Sequence, residues 1–173
     1  MFNDLGIAYL QNIWDGFNCT LFAYGQTGAG KSYSMTGDKT PESSRGIIPR
    51  GCEELFQRIT NNTDEKISYE VRVSFLELYN EKLQDLLDPK TSKTIKVRES
   101  TSKGVYVENA VEEPVSSYAE IDSLIDQGTK ARTVAATAMN ATSSRSHSVL
   151  TIFFTKKDVC LSFSLSLSYN YVL

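Results

Sequence analysis

Apolar positions recur along this chain with two periods, and the changes between them mark out its elements. Leu5, Tyr9 and Ile13 fall four apart, with Leu10 and Trp14 alongside, which predicts a helix capped by Asn3 or Asp4 and closed at Gly16. Cys19 to Tyr24 is a short, mainly apolar run, the pattern of a strand buried on both faces of a parallel sheet. After a polar loop from Gly37 to Arg45, Pro49 opens a helix whose Cys52, Leu55, Phe56 and Ile59 form one core-facing stripe. Ile67, Tyr69, Val71, Val73 and Phe75 alternate with polar residues, which predicts a long strand with one wet face. A helical turn is expected around Leu83, Leu86 and Leu87, stopping at Asp88 and Pro89.

The second half repeats the logic. Ile95 to Arg98 and Val105 to Glu108 flank a Ser/Thr/Lys/Gly turn and read as a hairpin standing off the main sheet. Ser117 to Glu120 has the S-x-x-E form of a capping box, opening a helix with Ile121, Leu124, Ile125, Gly128, Ala131, Ala135 and Ala138 on one face. A polar stretch, Asn140 to His147, separates that helix from a strand over Val149 to Thr155. The order predicts an α/β fold, a three-layer phosphate-loop sheet with helices on both faces and the hairpin as a separate lobe.

Between the first strand and the following Tyr33-Ser34-Met35 lies Gly25-Gln26-Thr27-Gly28-Ala29-Gly30-Lys31-Ser32, which fits G-x-x-x-x-G-K-[ST] without a gap. Each residue type has a physical task there. Glycines let backbone N–H groups turn toward an anion, and a helix start adds partial positive charge. Lys31 can reach β- and γ-phosphates, and the Ser32 hydroxyl can ligate Mg²⁺. The polar stretch at Asn140 to His147 offers hydroxyls and a guanidinium, the groups a phosphate site requires, although such a loop standing alone is as often a solvated connector. His147, a lone histidine entering a strand, reads better as a structural hydrogen-bonder than as a general base.

Composition narrows the partners. With 173 residues, 40% hydrophobic and 23% charged, the chain has ordinary globular character for one domain. A net charge of −3 gives no basic footprint for nucleic acid. Cys19, Cys52 and Cys160 are odd in number and far apart, which argues against a disulfide framework or a Cys-x-x-Cys metal site and for reduced core thiols in a cytosolic protein. N-x-[ST] triplets begin at Asn18, Asn61 and Asn140, but two of them flank or lie in the nucleotide-site segments, which argues against glycosylation. The first residues do not read as a signal peptide, and no stretch reads as a membrane span.

Taken together, the loop Gly25 to Ser32 and the segment Asn-Ala-Thr-Ser-Ser-Arg-Ser-His from Asn140 resemble the motor domain of a kinesin. Phe75 to Asp88 and Gly46-Ile47-Ile48-Pro49-Arg50 resemble further signatures of that family, and the Arg145-Ser146-His147 ending favours it over myosins. Tyr33 to Gly37 leans toward vesicle-carrying kinesins with an N-terminal motor. The resemblance implies that Gly25, Gln26, Thr27, Gly28, Ala29, Gly30, Lys31 and Ser32 hold the phosphates of ATP, and that Asn140 to His147 form the first switch. Ser143 and Ser144 would then stand near the γ-phosphate and the attacking water, with Ser32 and Ser144 around Mg²⁺. Arg145 would pair with a glutamate of the second switch. It further implies an ATP hydrolase in the cytoplasm, acting on microtubules of the cytoskeleton.

Two departures temper these expectations. The resemblance covers 2–157, whereas 158–173 is a Leu/Ser-rich tail unlike the family; it could turn back at Lys156-Lys157-Asp158 and pair with Val149 to Thr155, but its serines on that face favour an edge strand prone to self-association. The family's two leading strands and adenine-contacting segment would precede Met1, and its Asp-x-Ala-Gly-Ser-Glu second switch would follow Lys157. The expectation for the chain as written is therefore weak adenine selectivity and no microtubule-stimulated turnover. The alternative reading is a non-motile nucleotide-binding or regulatory fragment.

Overall fold

The computed structural model describes residues 2–101, 104–138, 146–158 and 163–172. The chain opens with a π-helical turn, Phe2–Gly6, that runs into α1, Ile7–Trp14. Asn3 and Asp4 therefore lie inside the opening turn, and the N-cap of α1 is Gly6, which gives it no side-chain cap. Leu10 and Ile13 carry its buried face. Strand β1, Cys19–Phe22, leads to the short helix α2, Lys31–Met35. A loop then runs to α3, Ile47–Thr60, whose Ile48, Cys52 and Leu55 are buried as the stripe predicts.

Strand β2, Ile67–Tyr79, is the spine of the fold. Its core-facing alternation of Val71, Val73 and Phe75 continues to a buried Glu77. Asn80 and Glu81 both take positive φ, 48° and 62°, and reverse the chain, so Lys82–Asp85 forms strand β3 against Leu76 to Tyr79. The predicted helical turn at Leu83 is thus a strand: tight-turn geometry at Asn80 and Glu81 outweighs the local spacing of leucines. Asp85, fully buried, accepts hydrogen bonds from the backbone N–H of Leu87 at 2.8 Å and of Val111 at 2.7 Å. Strands β4, Lys96–Ser100, and β5, Gly104–Glu108, pair only with each other among the described residues, the separate hairpin that the sequence predicts. Strand β6, Glu113–Val115, returns to β2.

Helix α4, Tyr118–Ala138, lies close on β2: a Cβ placed on Gly128 would fall 2.3 Å from the Phe75 ring. Half of its capping box forms as predicted, the Ser117 hydroxyl accepting from the Glu120 N–H at 3.4 Å, while the Glu120 carboxylate reaches one residue further back and accepts from the Ser116 N–H at 2.7 Å and the Ser116 hydroxyl at 2.9 Å. Strand β7, Ser146–Asp158, pairs antiparallel with β2 along its whole length. The residues from Phe163 form β8, Phe163–Val172, antiparallel to β7 and parallel to β1.

Among the described residues the main sheet runs β1-β8-β7-β2-β3, with β6 also on β2. Two expectations are corrected by this order. β8 is an interior strand, not an edge, because both of its sides are hydrogen-bonded. β1 is the edge, with Phe22 69% exposed rather than buried on both faces. α1, α2 and α4 each touch α3 and gather on the sheet face of Val73, Phe75, Leu150 and Ile152. That is one of the two expected helical layers.

Candidate functional site

The phosphate-loop pattern lies where β1 ends and α2 begins. Gly25, Gly28 and Gly30 have φ of 152°, 85° and 82°, a region that residues with a Cβ enter at a cost. At Gly28 and Gly30 an added Cβ would meet nothing within 4 Å, so the left-handed backbone, rather than packing, calls for glycine there. The Lys31 side chain arches back over this loop and donates to the carbonyls of Gly25 and Gln26, both at 2.8 Å. An exposed curved backbone rimmed by an ammonium group is chemically suited to an anion.

Ser32 is exposed and borders a cleft of about 690 Å³ between the loop after α2 and the face of α4. Thr36, Phe75, Ile125, Arg132 and Ser148 also line it. Lys39 closes one rim, with Nζ 2.8 Å from Asp122 and 2.7 Å from Asp126. The hydrogen bonds that Lys39 donates to these carboxylates push its pKa upward. Arg45 stacks over the Tyr118 ring at 5.0 Å and pairs with Glu53 at 2.7 Å, holding the other end of that loop.

Deeper in the cleft, Arg132 donates from Nε to Glu77 at 2.9 Å. Its terminal nitrogens reach the Ser146 hydroxyl at 2.8 Å and the Ser148 hydroxyl at 3.4 Å. Neither Arg132 nor Glu77 was singled out by sequence reasoning. One signal was available: an acid continuing the inward register of Val71, Val73 and Phe75 demands a buried cation nearby.

The eight loop residues, Gly25 to Ser32, are contiguous at the end of β1. Ser143, Ser144 and Arg145 lie outside the described residues, as does the approach of Ser144 to Ser32. Ser146 and His147 begin β7, with His147 exposed. Asp158 stands at the opposite end of that strand, paired with Ile67. No helix among the described residues is long and apolar enough to cross a membrane.

Comparison with known proteins agrees with this arrangement. The family model described as the kinesin motor domain matches residues 1–168, so the matched region reaches into β8. The chain is 56% identical over 164 residues to kinesin-related protein 1 of Dictyostelium discoideum, covering 92% of this chain and 7% of that protein. It is 54% identical over 157 residues to human kinesin-like protein KIF1B, covering 91% and 9%. Against kinesin-like protein unc-104 of Caenorhabditis elegans the identity is 48% over 160 residues, covering 92% and 10%. The solved structure of a fast kinesin superposes with a TM-score of 0.91 at 42% identity, covering 99% of this chain and 48% of that one. The chain thus spans a tenth or less of the length of these three curated relatives.

Proposed function

The chain belongs to the kinesin motor-domain family, and from that premise we propose that it binds Mg²⁺-ATP at Gly25 to Ser32 as part of a cytoplasmic microtubule motor. In the complete protein, ATP hydrolysis drives movement along microtubules. The observation that carries the reading is the loop after β1, with its left-handed glycines and Lys31 folded onto the carbonyls of Gly25 and Gln26 at 2.8 Å. The residues fit a polyphosphate: the open space over Gly28 and Gly30 admits it, and the Lys31 ammonium can exchange two carbonyl acceptors for phosphate oxygens.

Mg²⁺, when bound, neutralises charge on the β- and γ-phosphates. The Ser32 and Ser144 hydroxyls are the groups assigned to hold it. Ser143 and Ser144 are assigned to the γ-phosphate and the attacking water, and Arg145 to a glutamate of the second switch. Work of this kind is positioning and charge stabilisation, so hydroxyls suffice without a strong protein base.

A second reading, a nucleotide-binding or regulatory unit without force production, is favoured by one observation. β8 takes the sheet position beside β7, and Phe163–Val172 contains no carboxylate. Microtubule-stimulated phosphate release separates the two: stimulation supports the motor, and none supports the regulatory unit. For the site itself, Lys31→Ala should abolish Mg²⁺-nucleotide binding in calorimetry, and retained binding would reject the phosphate-loop reading.

A further inference from the structure

We propose that the loop joining α2 to α3 is a strap across the cleft, seated rigidly on α3 and latched to α4 at one exchangeable point, the ammonium of Lys39. The seat is built on backbone groups. The Asp38 N–H donates to the Ser44 carbonyl at 3.1 Å and the Gly46 N–H to the Thr36 carbonyl at 2.9 Å, which pinches the loop at its neck. No side chain fits inside that neck: a Cβ on Gly37 would fall 2.1 Å from the Ser44 oxygen, and one on Gly46 2.3 Å from the Met35 oxygen. Arg50 of α3 then donates to the carbonyls of Glu42, Ser43 and Arg45 at 2.9, 3.2 and 3.0 Å. A planar guanidinium serving three carbonyls at once holds 42–45 in one orientation.

The latch is of the opposite kind. Lys39, Thr40 and Pro41 are exposed, and Lys39 reaches over to α4, where Nζ lies 2.8 Å from Asp122 and 2.7 Å from Asp126. The two carboxylates stand one turn apart on the face of α4 that lines the cleft, with Ile125 beside them. The lysine is 60% exposed and Asp126 48%, so water and salt compete for both charges and the bond is weakly held. A point charge on a flexible stem also leaves and returns without rearranging the backbone. Latched, the strap shields the apolar wall at Ile125, which packs partly buried against the core; released, it opens that wall to solvent. Ser32 and Thr36 border the same cleft, so the strap sets how far the space beside the phosphate loop is open. It depends on its own contacts and stands whether or not nucleotide binds.

The test uses the full chain carrying Ile125→Cys, so that a thiol reports from beneath the strap, with labelling by a neutral maleimide read at each site by peptide mass mapping. Cys52, 1% exposed, is the internal reference, because it reacts only when the core opens. Adding Lys39→Met should raise the labelling rate at position 125 about fivefold with Cys52 unchanged, and Lys39→Arg should keep it within about twofold of the chain that retains Lys39. Raising salt from about 0.05 M to about 1 M should speed labelling at position 125 where Lys39 is retained and have no effect with Lys39→Met. Equal rates with and without Lys39→Met overturn the strap. If Lys39→Met opens the core, so that Cys52 reacts in step, the salt series on the chain that retains Lys39 decides: a rise at position 125 alone upholds the latch, and no rise overturns it.

Discussion

The β2–β7 ladder is built in opposite ways at its two ends. Near Tyr69 and Phe154 it is closed by an aromatic cluster, with the Trp14 ring of α1 5.4 Å from Tyr69 and 5.6 Å from Phe154. Near Glu77 and Ser148 the same face is closed by the Arg132 guanidinium and by hydroxyls. The aromatic end gains area burial, which is strong and tolerant of small shifts. The polar end gains little net energy, since the desolvation of Glu77 offsets most of the attraction, but it defines direction and distance. A strand that must present its first residues beside a cleft is held there by directional bonds, and its far end supplies the stability.

The comparison breaks if the two ends contribute equally. Phe154→Ala, which removes a wholly buried ring from the aromatic end, should cost about 3–5 kcal/mol in denaturant unfolding. Glu77→Ala leaves Arg132, 26% exposed, to be hydrated from the cleft, and should cost about 1–2 kcal/mol in the same measurement. A larger loss at Glu77 than at Phe154 would reverse the argument.

The smallest effect is pH-dependent. Cys52 lies in the apolar core, where burial pushes its thiol from 9.0 up to about 12. The proton is held more tightly in the folded state, so this stabilisation is complete below pH 9 and falls as pH rises from there toward 12. Relative to Cys52→Ala, the unaltered chain should therefore lose denaturation midpoint faster above pH 9. Parallel slopes would mean that this part of the core already admits water.

Much of the architecture was legible locally. The alternation from Ile67 to Phe75, the stripe from Cys52 to Ile59 and the hairpin around Gly104 all appear where pattern places them, because each is decided by neighbours a few residues apart. The candidate site was legible only in its glycines and Lys31, whose spacing is contiguous. Arg132 and Glu77 stand 55 positions apart, and no local window contains both.

What the sequence by itself determined is therefore the set of elements with short-range periodicity, and the loop whose chemistry is written in eight consecutive residues, Gly25 to Ser32. Tertiary structure alone decided that β1 is an edge among the described strands and β8 an interior one, that Lys82–Asp85 pairs back on β2, and that an arginine of α4 grips the start of β7. The physical reason is common to all three. Strand order and buried charge pairs are settled by which distant backbone and side-chain groups satisfy one another, and hydrophobic period carries no information about that choice.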